Sequence, residues 1–204
     1  LTHAMQTLQG QLDRIDRASS LDSLRGLEGA AASAYFAGLR TVVPPSLEFN
    51  ERNRRPPRDP FNALLSLTYT LAHAEAALAL HAAGLDPCIG YYHQLSHSRE
   101  SLACDIIEAI RPLVDCICLA MVSQQVLTAE HFAHSPAGCL LGKAGRTRYY
   151  GAYEEQAAGL RQAIRNEVKA LAERIAPDMP GPVFITPQYD GDIYDAMAAR
   201  AAPP

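Results

Sequence analysis

Apolar residues recur at helical spacing over most of the chain, and this pattern predicts an all-α fold. The first clear helix follows Ser20, a residue type that caps helix amino termini. Its apolar stripe consists of Leu21, Leu24, Ala31 and Tyr35. Glu28 falls on the same stripe, and a buried carboxylate is costly without a partner. An arginine or a metal ion would satisfy Glu28, and the periodicity leaves both open.

A connector rich in proline and arginine runs from Pro44 to Arg58. Its paired prolines oppose a helix and its arginines oppose burial, so we expect an exposed, extended segment. Asp59 and Pro60 then supply an acidic N-cap and a proline at the first helical position. They predict a long central helix that ends at Gly84.

The next segment, residues 85–99, contains glycine and proline and therefore places His93 on a loop. A further helix is expected from near Leu102. Asp105 and Glu108 are three residues apart in it and share one face. Pro112 should kink or divide this helix.

A last amphipathic helix is expected over residues 147–175, where apolar positions again recur at helical spacing. The remaining stretch is rich in proline and glycine. We therefore expect one helical domain over residues 1–175 and an extended carboxy-terminal tail over residues 176–204. Because the chain does not start with methionine, we expect it to be a piece of a longer protein with an upstream domain.

Composition supports a helical, cytoplasmic protein. Hydrophobic residues make up 48% of the chain and tryptophan is absent. The five cysteines form no CxxC pair and lie mostly in apolar runs, so we expect reduced core residues. We find no secretory signal pattern and expect no membrane association.

The net charge of -4 gives no general indication of nucleic-acid binding, because domains that bind phosphates are typically basic. Any DNA contact would have to be local. Two basic clusters could provide it, and they are Arg52, Arg54, Arg55 and Arg58 in the connector and Lys143, Arg146 and Arg148 further along. The alternative is an ordinary solvated surface.

The candidate chemistry centres on His93, Asp105 and Glu108. One imidazole with two or three carboxylates suits Mn²⁺ or Mg²⁺, which serve phosphodiester chemistry. A solvated helix face explains the two carboxylates equally well. His131 and His134, at helical spacing, are a weaker candidate because no acidic partner accompanies them.

Two ordered motifs carry a family resemblance. The first covers residues 53–66, Asn-Arg-Arg-Pro-Pro-Arg-Asp-Pro-Phe-Asn-Ala-Leu-Leu-Ser, and is followed by Tyr69. The second covers residues 84–93, Gly-Leu-Asp-Pro-Cys-Ile-Gly-Tyr-Tyr-His, and continues over residues 99–112. Together they resemble the CRISPR-associated spacer-acquisition integrases, the Cas one family, over about residues 20–160.

The resemblance implies the roles of individual residues. It places Glu28, His93 and Glu108 on the family's catalytic metal ligands for Mn²⁺ or Mg²⁺, with Asp105 as a supporting acidic residue. It implies that this all-α chain is the multi-helix catalytic domain, without the family's amino-terminal β-rich domain. The arginines that flank the two motifs become candidates for DNA phosphate contacts, and they are Arg54, Arg55, Arg58 and Arg99.

The implied activity is CRISPR adaptation, in which the 3′-hydroxyl of captured spacer DNA is joined to the CRISPR repeat. The implied partners are double-stranded DNA, a small ferredoxin-like protein (Cas two) and a second copy of the chain. A fused reverse transcriptase or nuclease domain is compatible with the sequence. The alternatives are a non-catalytic helical DNA-binding or assembly subunit and a plain metal-dependent nuclease. Ser98 stands where the family usually has glycine before the arginine.

Overall fold

Helices dominate the protein. The computed structural model describes residues 2–96 and 99–178, and in these ranges it contains five α-helices. The helices are α1 (Thr2–Ile15), α2 (Leu21–Arg40), α3 (Pro60–Ala82), α4 (Ser101–Ser123) and α5 (Lys143–Ile175). The all-α prediction is confirmed. The expected tail from residue 176 lies outside the described residues, except for a 3₁₀ turn over Ala176–Asp178.

A small antiparallel hairpin interrupts the helices. Strands β1 (Phe132–Ser135) and β2 (Gly138–Leu141) pair in the register Phe132 opposite Leu141 and Ser135 opposite Gly138. The sequence reasoning missed this hairpin because each strand is only four residues long. The helical spacing of His131 and His134 does not correspond to a helix, since His131 ends a 3₁₀ turn and His134 lies in β1.

The chain forms two compact units. Unit 1 combines Leu1–Ala72 with Arg111–Leu160, and unit 2 combines His73–Ile110 with the chain from Arg161 onward. The buried residues of unit 1 include Leu47, Phe49, Phe61, Leu64, Met121, Tyr149 and Leu160. Those of unit 2 include Leu80, Ala103, Ile106, Ile110, Ile164 and Val168.

Local capping explains where α2 and α3 begin. Ser20 caps α2, because its hydroxyl accepts a hydrogen bond from the Ser23 amide at 3.1 Å. Asp59 caps α3, because its Oδ1 accepts from the Asn62 amide at 2.8 Å. Gly84 follows the end of α3 with φ of +75°, which a residue with a side chain adopts only with strain. These starts and stops agree with the sequence prediction.

Two local expectations were wrong, and one of the two alternatives for Pro112 is excluded. Glu28 is exposed, and the buried residues of α2 are only Gly38 and Leu39, near the carboxyl end of the helix. The connector is not wholly exposed, since Leu47 is 1% and Phe49 is 5% exposed. Pro112 does not divide α4, which continues through it to Ser123.

None of the five cysteines is in a disulfide, and only two of them are core residues. Cys118 and Cys139 are buried and Cys104 is half-buried, whereas Cys88 and Cys116 are exposed. The expectation of five core cysteines was therefore too broad. Helix faces explain the difference, because Cys116 and Cys118 are two residues apart on α4 and so point to different sides.

In the described part of the chain, α3 is the one helix long and apolar enough to cross a membrane by length and composition. Much of its apolar surface is buried within the protein, since Phe61, Leu64 and Leu80 are fully covered. A core helix passes the same test of length and composition, so α3 gives no indication of a membrane span.

Candidate active site

Asp105 is a buried carboxylate of unit 2 that accepts several hydrogen bonds. Its side chain is wholly buried on α4. Oδ2 accepts the amides of Tyr91 and Tyr92 at 2.7 and 3.0 Å. Oδ1 accepts the amide of His93 at 2.9 Å and lies 2.6 Å from Nδ1 of its ring. Four donors thus satisfy a buried charge that would otherwise be costly.

The loop that carries His93 is fixed to the first turn of α4. The carbonyl of Pro87 accepts hydrogen bonds from the amides of Leu102 and Ala103 at 2.7 and 3.3 Å. Gly90 allows the loop to approach closely, because a Cβ there would lie 2.5 Å from the His93 carbonyl oxygen and 2.8 Å from Oδ2 of Asp105. Any side chain at position 90 would push the loop away from Asp105.

The contact with Asp105 sets the chemistry of His93. A carboxylate oxygen only accepts, so the ring donates from Nδ1, and in the neutral imidazole the other nitrogen, Nε2, carries the lone pair. The ring is 26% exposed, which leaves it accessible. A carboxylate behind an imidazole fixes the orientation of the ring, an arrangement that supports metal ligation through Nε2.

The other predicted ligands are Glu108 and Glu28. Glu108 is half-buried on α4, one turn after Asp105, and lies in unit 2 with His93. Glu28 is exposed on α2 and belongs to unit 1. Within residues 2–96 and 99–178, no three His, Cys, Asp or Glu side chains form a group that could hold a metal ion. The Glu28, His93 and Glu108 ligand set therefore stays a prediction.

The predicted phosphate-binding arginines differ in their surroundings. Arg54, Arg55 and Arg58 are exposed. Arg99 is also exposed, but its side chain donates to the carbonyl of Gln94 and, at 3.2 Å, to the Ser101 hydroxyl. It therefore fastens the end of its own loop in addition to presenting a charge.

A buried amide fixes the segment that bears the first three arginines, which we call the arginine loop (residues 53–58). Oδ1 of Asn62 accepts from the Asn53 amide at 3.0 Å and from Arg52 at 2.8 Å. Nδ2 of Asn62 donates to Asp59 at 2.6 Å. Oδ1 of Asn53 accepts from the Arg58 amide at 2.8 Å and closes the loop. Burial and the neighbouring charge of Arg54 lower the pKa of Arg52 to about 10.

Comparison with known proteins finds a family match over the part of the chain that contains these residues. The sequence profile described as CRISPR associated protein Cas1 matches residues 1–155. The chain belongs to this family. Both resemblance motifs and all eight predicted site residues fall inside the matched range.

Curated Cas1 relatives are longer than this chain. The CRISPR-associated endonuclease Cas1 1 of Thermodesulfovibrio yellowstonii is 44% identical over 76% of this chain and 50% of its own length. A Cas4/Cas1 fusion of Geobacter sulfurreducens is 32% identical over 89% of this chain and 36% of its own length. The chain spans about half the length of the first relative and 36% of the length of the fusion.

Solved Cas1 structures share the fold. A Cas1 protein from Thermotoga maritima superposes with a TM-score of 0.76 at 27% identity, over 83% of this chain and 57% of that one. A chain of a partial Cas6-RT-Cas1–Cas2 complex gives a TM-score of 0.78 at 28% identity, over 87% of this chain and 57% of that one.

The chain also contains a polar cluster that the sequence reasoning missed. Asp115 is 2% exposed and accepts from the Tyr35 hydroxyl at 2.8 Å and the Tyr69 hydroxyl at 2.5 Å. The guanidinium groups of Arg52 and Arg111 lie 5.8 and 5.7 Å from the centre of the Tyr69 ring. From the sequence alone, Tyr35 was placed only on an apolar helix stripe and Tyr69 only next to the first motif.

Burial of this cluster shifts the ionisation of its members. Burial raises the pKa of Asp115, and the hydrogen bonds from Tyr69 and Tyr35 oppose that shift. Burial, together with the charge of Asp115, raises the pKa of both tyrosine hydroxyls well above the usual range. The sequence contains a signal for this cluster. Asp115 stands alone among apolar residues in the second half of α4, and a buried carboxylate needs hydrogen-bond partners.

Proposed function

We propose that this chain is the catalytic domain of a CRISPR adaptation integrase that joins the 3′-hydroxyl of captured spacer DNA to the CRISPR repeat in the cytoplasm. The observation that carries the proposal is the histidine on its fixed loop, with the Nδ1 atom of His93 2.6 Å from Asp105. Membership of the Cas1 family supports the reaction class. The relative from Thermodesulfovibrio yellowstonii is named an endonuclease, which supports chemistry on phosphodiester bonds.

Glu28, His93 and Glu108 would hold Mn²⁺ or Mg²⁺ in this proposal. One imidazole and two carboxylates suit either ion, and the carboxylate behind His93 is the usual outer partner of a ligating histidine. When bound, the ion would stabilise negative charge on the phosphoryl oxygens. The role of Asp105 would be to hold the ring with Nε2 outward.

The reaction would be a transesterification. The 3′-oxygen of the spacer forms a bond to phosphorus while the bond to the 3′-oxygen of the flanking strand breaks. The attacking hydroxyl loses a proton and the leaving oxygen gains one, so phosphodiester bonds are conserved. Arg54, Arg55, Arg58 and Arg99 would hold the phosphates of the two DNA partners through guanidinium groups.

The partners would be double-stranded DNA, a small ferredoxin-like Cas2 subunit and a second copy of the chain. The Cas6-RT-Cas1–Cas2 complex supports the Cas2 partner and a fused reverse transcriptase. The Cas4/Cas1 fusion of Geobacter sulfurreducens supports a fused nuclease as the alternative.

The test is strand joining by the full-length protein assembled with its Cas2 subunit. We expect Glu28→Ala or His93→Ala to abolish joining while DNA capture is retained. Matched controls are Glu155→Ala and His81→Ala, which alter exposed residues outside the site and should join normally. Joining by either site variant at the control rate would remove the ligand assignment. Cut but unjoined products from the unaltered protein would favour a plain nuclease, and captured but unaltered DNA would favour an assembly subunit.

A further inference from the structure

The part of α2 that carries Glu28 gains little support from burial. Only Gly38 and Leu39 of the 20 residues in this helix are buried, and both lie near its carboxyl end. Glu28 lies ten positions before Gly38, which is roughly 15 Å along a helix axis. The helix packs against α1, which has no buried residue of its own. Burial therefore fixes the far end of α2 and leaves the stretch around Glu28 to other contacts.

Two glycines weaken the helix at the same place. Gly26 and Gly29 flank Glu28, and glycine lowers helix propensity because its backbone loses the most freedom on folding. A Cβ at either glycine would meet nothing within 4 Å, so close packing does not require these residues. Helices in proteins draw most of their stability from tertiary contacts. The direction in which Glu28 points therefore depends on the side chains that tie α2 to the rest of unit 1.

Tyr35 provides such a tie. It follows Glu28 by seven residues, about two turns, so the two side chains lie on one face of α2. The Tyr35 hydroxyl donates to Oδ2 of Asp115 on α4 at 2.8 Å. Asp115 is 2% exposed, and a hydrogen bond to a charged acceptor in the interior is stronger than a neutral one in water. The bond therefore joins the face that carries Glu28 to the core of unit 1.

Asp115 has a second tyrosine donor that does not belong to α2. Its Oδ1 accepts from the hydroxyl of Tyr69 on α3 at 2.5 Å. Each oxygen of the carboxylate thus accepts from one tyrosine, and the two tyrosines come from different helices. Loss of either hydroxyl would leave the buried carboxylate with one donor fewer, at a comparable cost in stability. Only the Tyr35 bond, however, reaches the helix that carries Glu28.

We propose that Tyr35 and Asp115 are positioning residues for Glu28, and that the bond between them holds α2 in the position that presents this carboxylate to the metal ion of the proposed joining site. We call this bond the α2 anchor. Tyr35, Asp115 and Glu28 all belong to unit 1. The inference rests on the proposed function, because Glu28 has a ligand role only there. It requires neither Tyr35 nor Asp115 to touch the ion or the DNA.

The first test compares Tyr35→Phe with Tyr69→Phe by hydrogen exchange, measured on the full-length protein assembled with its Cas2 subunit. Each change keeps the aromatic ring and removes one hydroxyl donor from Asp115. We expect the amides in the first half of α2 to exchange several-fold faster in Tyr35→Phe and at the unaltered rate in Tyr69→Phe, because only the first change releases α2. Melting temperature and circular dichroism establish that each variant is folded. If Tyr69→Phe fails to fold, Tyr149→Phe replaces it as the control, because it removes a buried hydroxyl that lies 3.0 Å from Thr68.

The second test measures Mn²⁺ binding by the same assembly with isothermal titration calorimetry. We expect Tyr35→Phe to weaken the apparent affinity roughly tenfold, as loss of a contact behind a metal ligand does, and Tyr69→Phe to retain it. A higher ion concentration can compensate for a ligand that is intact but poorly directed. Strand joining by Tyr35→Phe should therefore recover at saturating Mn²⁺, whereas Glu28→Ala should not recover at any concentration.

The outcomes separate the α2 anchor from the proposed function. Unaltered exchange in Tyr35→Phe, or an equal rise in Tyr69→Phe, overturns the anchor even if joining depends on Glu28 and His93. Unaltered Mn²⁺ affinity in Tyr35→Phe overturns the positioning of Glu28 even if α2 exchanges faster. Absence of joining by the unaltered protein contradicts the proposed function, and faster exchange in Tyr35→Phe alone would still support the anchor.

Discussion

The Nδ1 atom of His93 and the Oδ1 atom of Asp105 lie 2.6 Å apart, and the same carboxylate accepts the backbone amide of His93 at 2.9 Å. Backbone and ring of one residue are therefore held by one buried side chain. The consequence is a histidine with a single orientation and a defined tautomer before any ligand arrives. This pre-organisation makes the site of unit 2 sensitive to small changes behind the ring.

Replacing the carboxylate of Asp105 should misorient the His93 ring without changing that residue itself. In Asp105→Asn, an amide NH₂ group replaces one carboxylate oxygen. This donor must then face groups that also donate, either the amides of Tyr91 and Tyr92 or the amide and ring nitrogen of His93. We expect a loss of about 1–3 kcal/mol in unfolding free energy and loss of strand joining. Urea denaturation and the joining assay measure the two effects.

The control for this change is Asp86→Asn in the same loop. Oδ1 of Asp86 accepts from the Cys88 amide at 2.9 Å, and an asparagine can keep that bond. Joining by Asp105→Asn at the rate of Asp86→Asn would show that the contact behind His93 is dispensable.

A methyl group at position 90 should disturb the loop that carries His93. In Gly90→Ala the Cβ would meet Asp105, Ser101 and the His93 carbonyl at 2.9 Å or less. We expect a destabilisation of about 1–3 kcal/mol and a weaker response to metal, because the loop must move. Thermal unfolding with and without Mn²⁺ measures both.

Gly159→Ala is the matched change, because it lies in α5 with open space around it. Alanine favours helix over glycine, so this variant should gain up to about 1 kcal/mol. If Gly90→Ala were as stable as Gly159→Ala, the close approach at Gly90 would not constrain the loop.

Added Mn²⁺ should raise the melting temperature of the chain, because an ion that binds only the folded state stabilises it. We expect Glu108→Ala to remove this shift and the exposed variant Glu155→Ala to retain it. Differential scanning calorimetry across a range of Mn²⁺ concentrations gives the apparent affinity. A full shift in Glu108→Ala would exclude that residue as a ligand.

Alkaline pH should destabilise the fold through Cys118. Burial raises the pKa of its thiol from 9.0 to about 12, so the unfolded chain loses this proton first. Unfolding free energy should therefore fall as pH rises from about 9 towards 12. The half-buried Tyr35 and Tyr69 and the buried Tyr149, whose pKa values burial also raises from 10.0, should add to the loss of stability above pH 10.

Variants at two thiols of α4 isolate the contribution of Cys118. We expect Cys118→Val to flatten the fall in stability that begins near pH 9, and Cys116→Val, an exposed thiol on the same helix, to keep it. Urea denaturation at a series of pH values provides the slopes. An identical slope in Cys118→Val and the unaltered chain would contradict the assignment.

The sequence by itself determined the elements whose causes are local. The caps at Ser20 and Asp59 and the stop at Gly84 fixed helix ends, because each acts on amides or dihedral angles within a few residues. The two motifs likewise identified the family, as the match over residues 1–155 establishes. Periodicity failed for Glu28, since an apolar stripe does not reveal how much of a helix is covered.

Only the tertiary structure decided the contacts between distant residues. Tyr35 and Tyr69 approach Asp115 from 80 and 46 residues away, and the Pro57 carbonyl meets the Cys139 amide across the hairpin. Asp105 finds its donors in a loop 12 to 14 residues earlier. Such contacts depend on the path of the whole chain and on close approaches at Gly90 and Gly138, which helical periodicity does not encode.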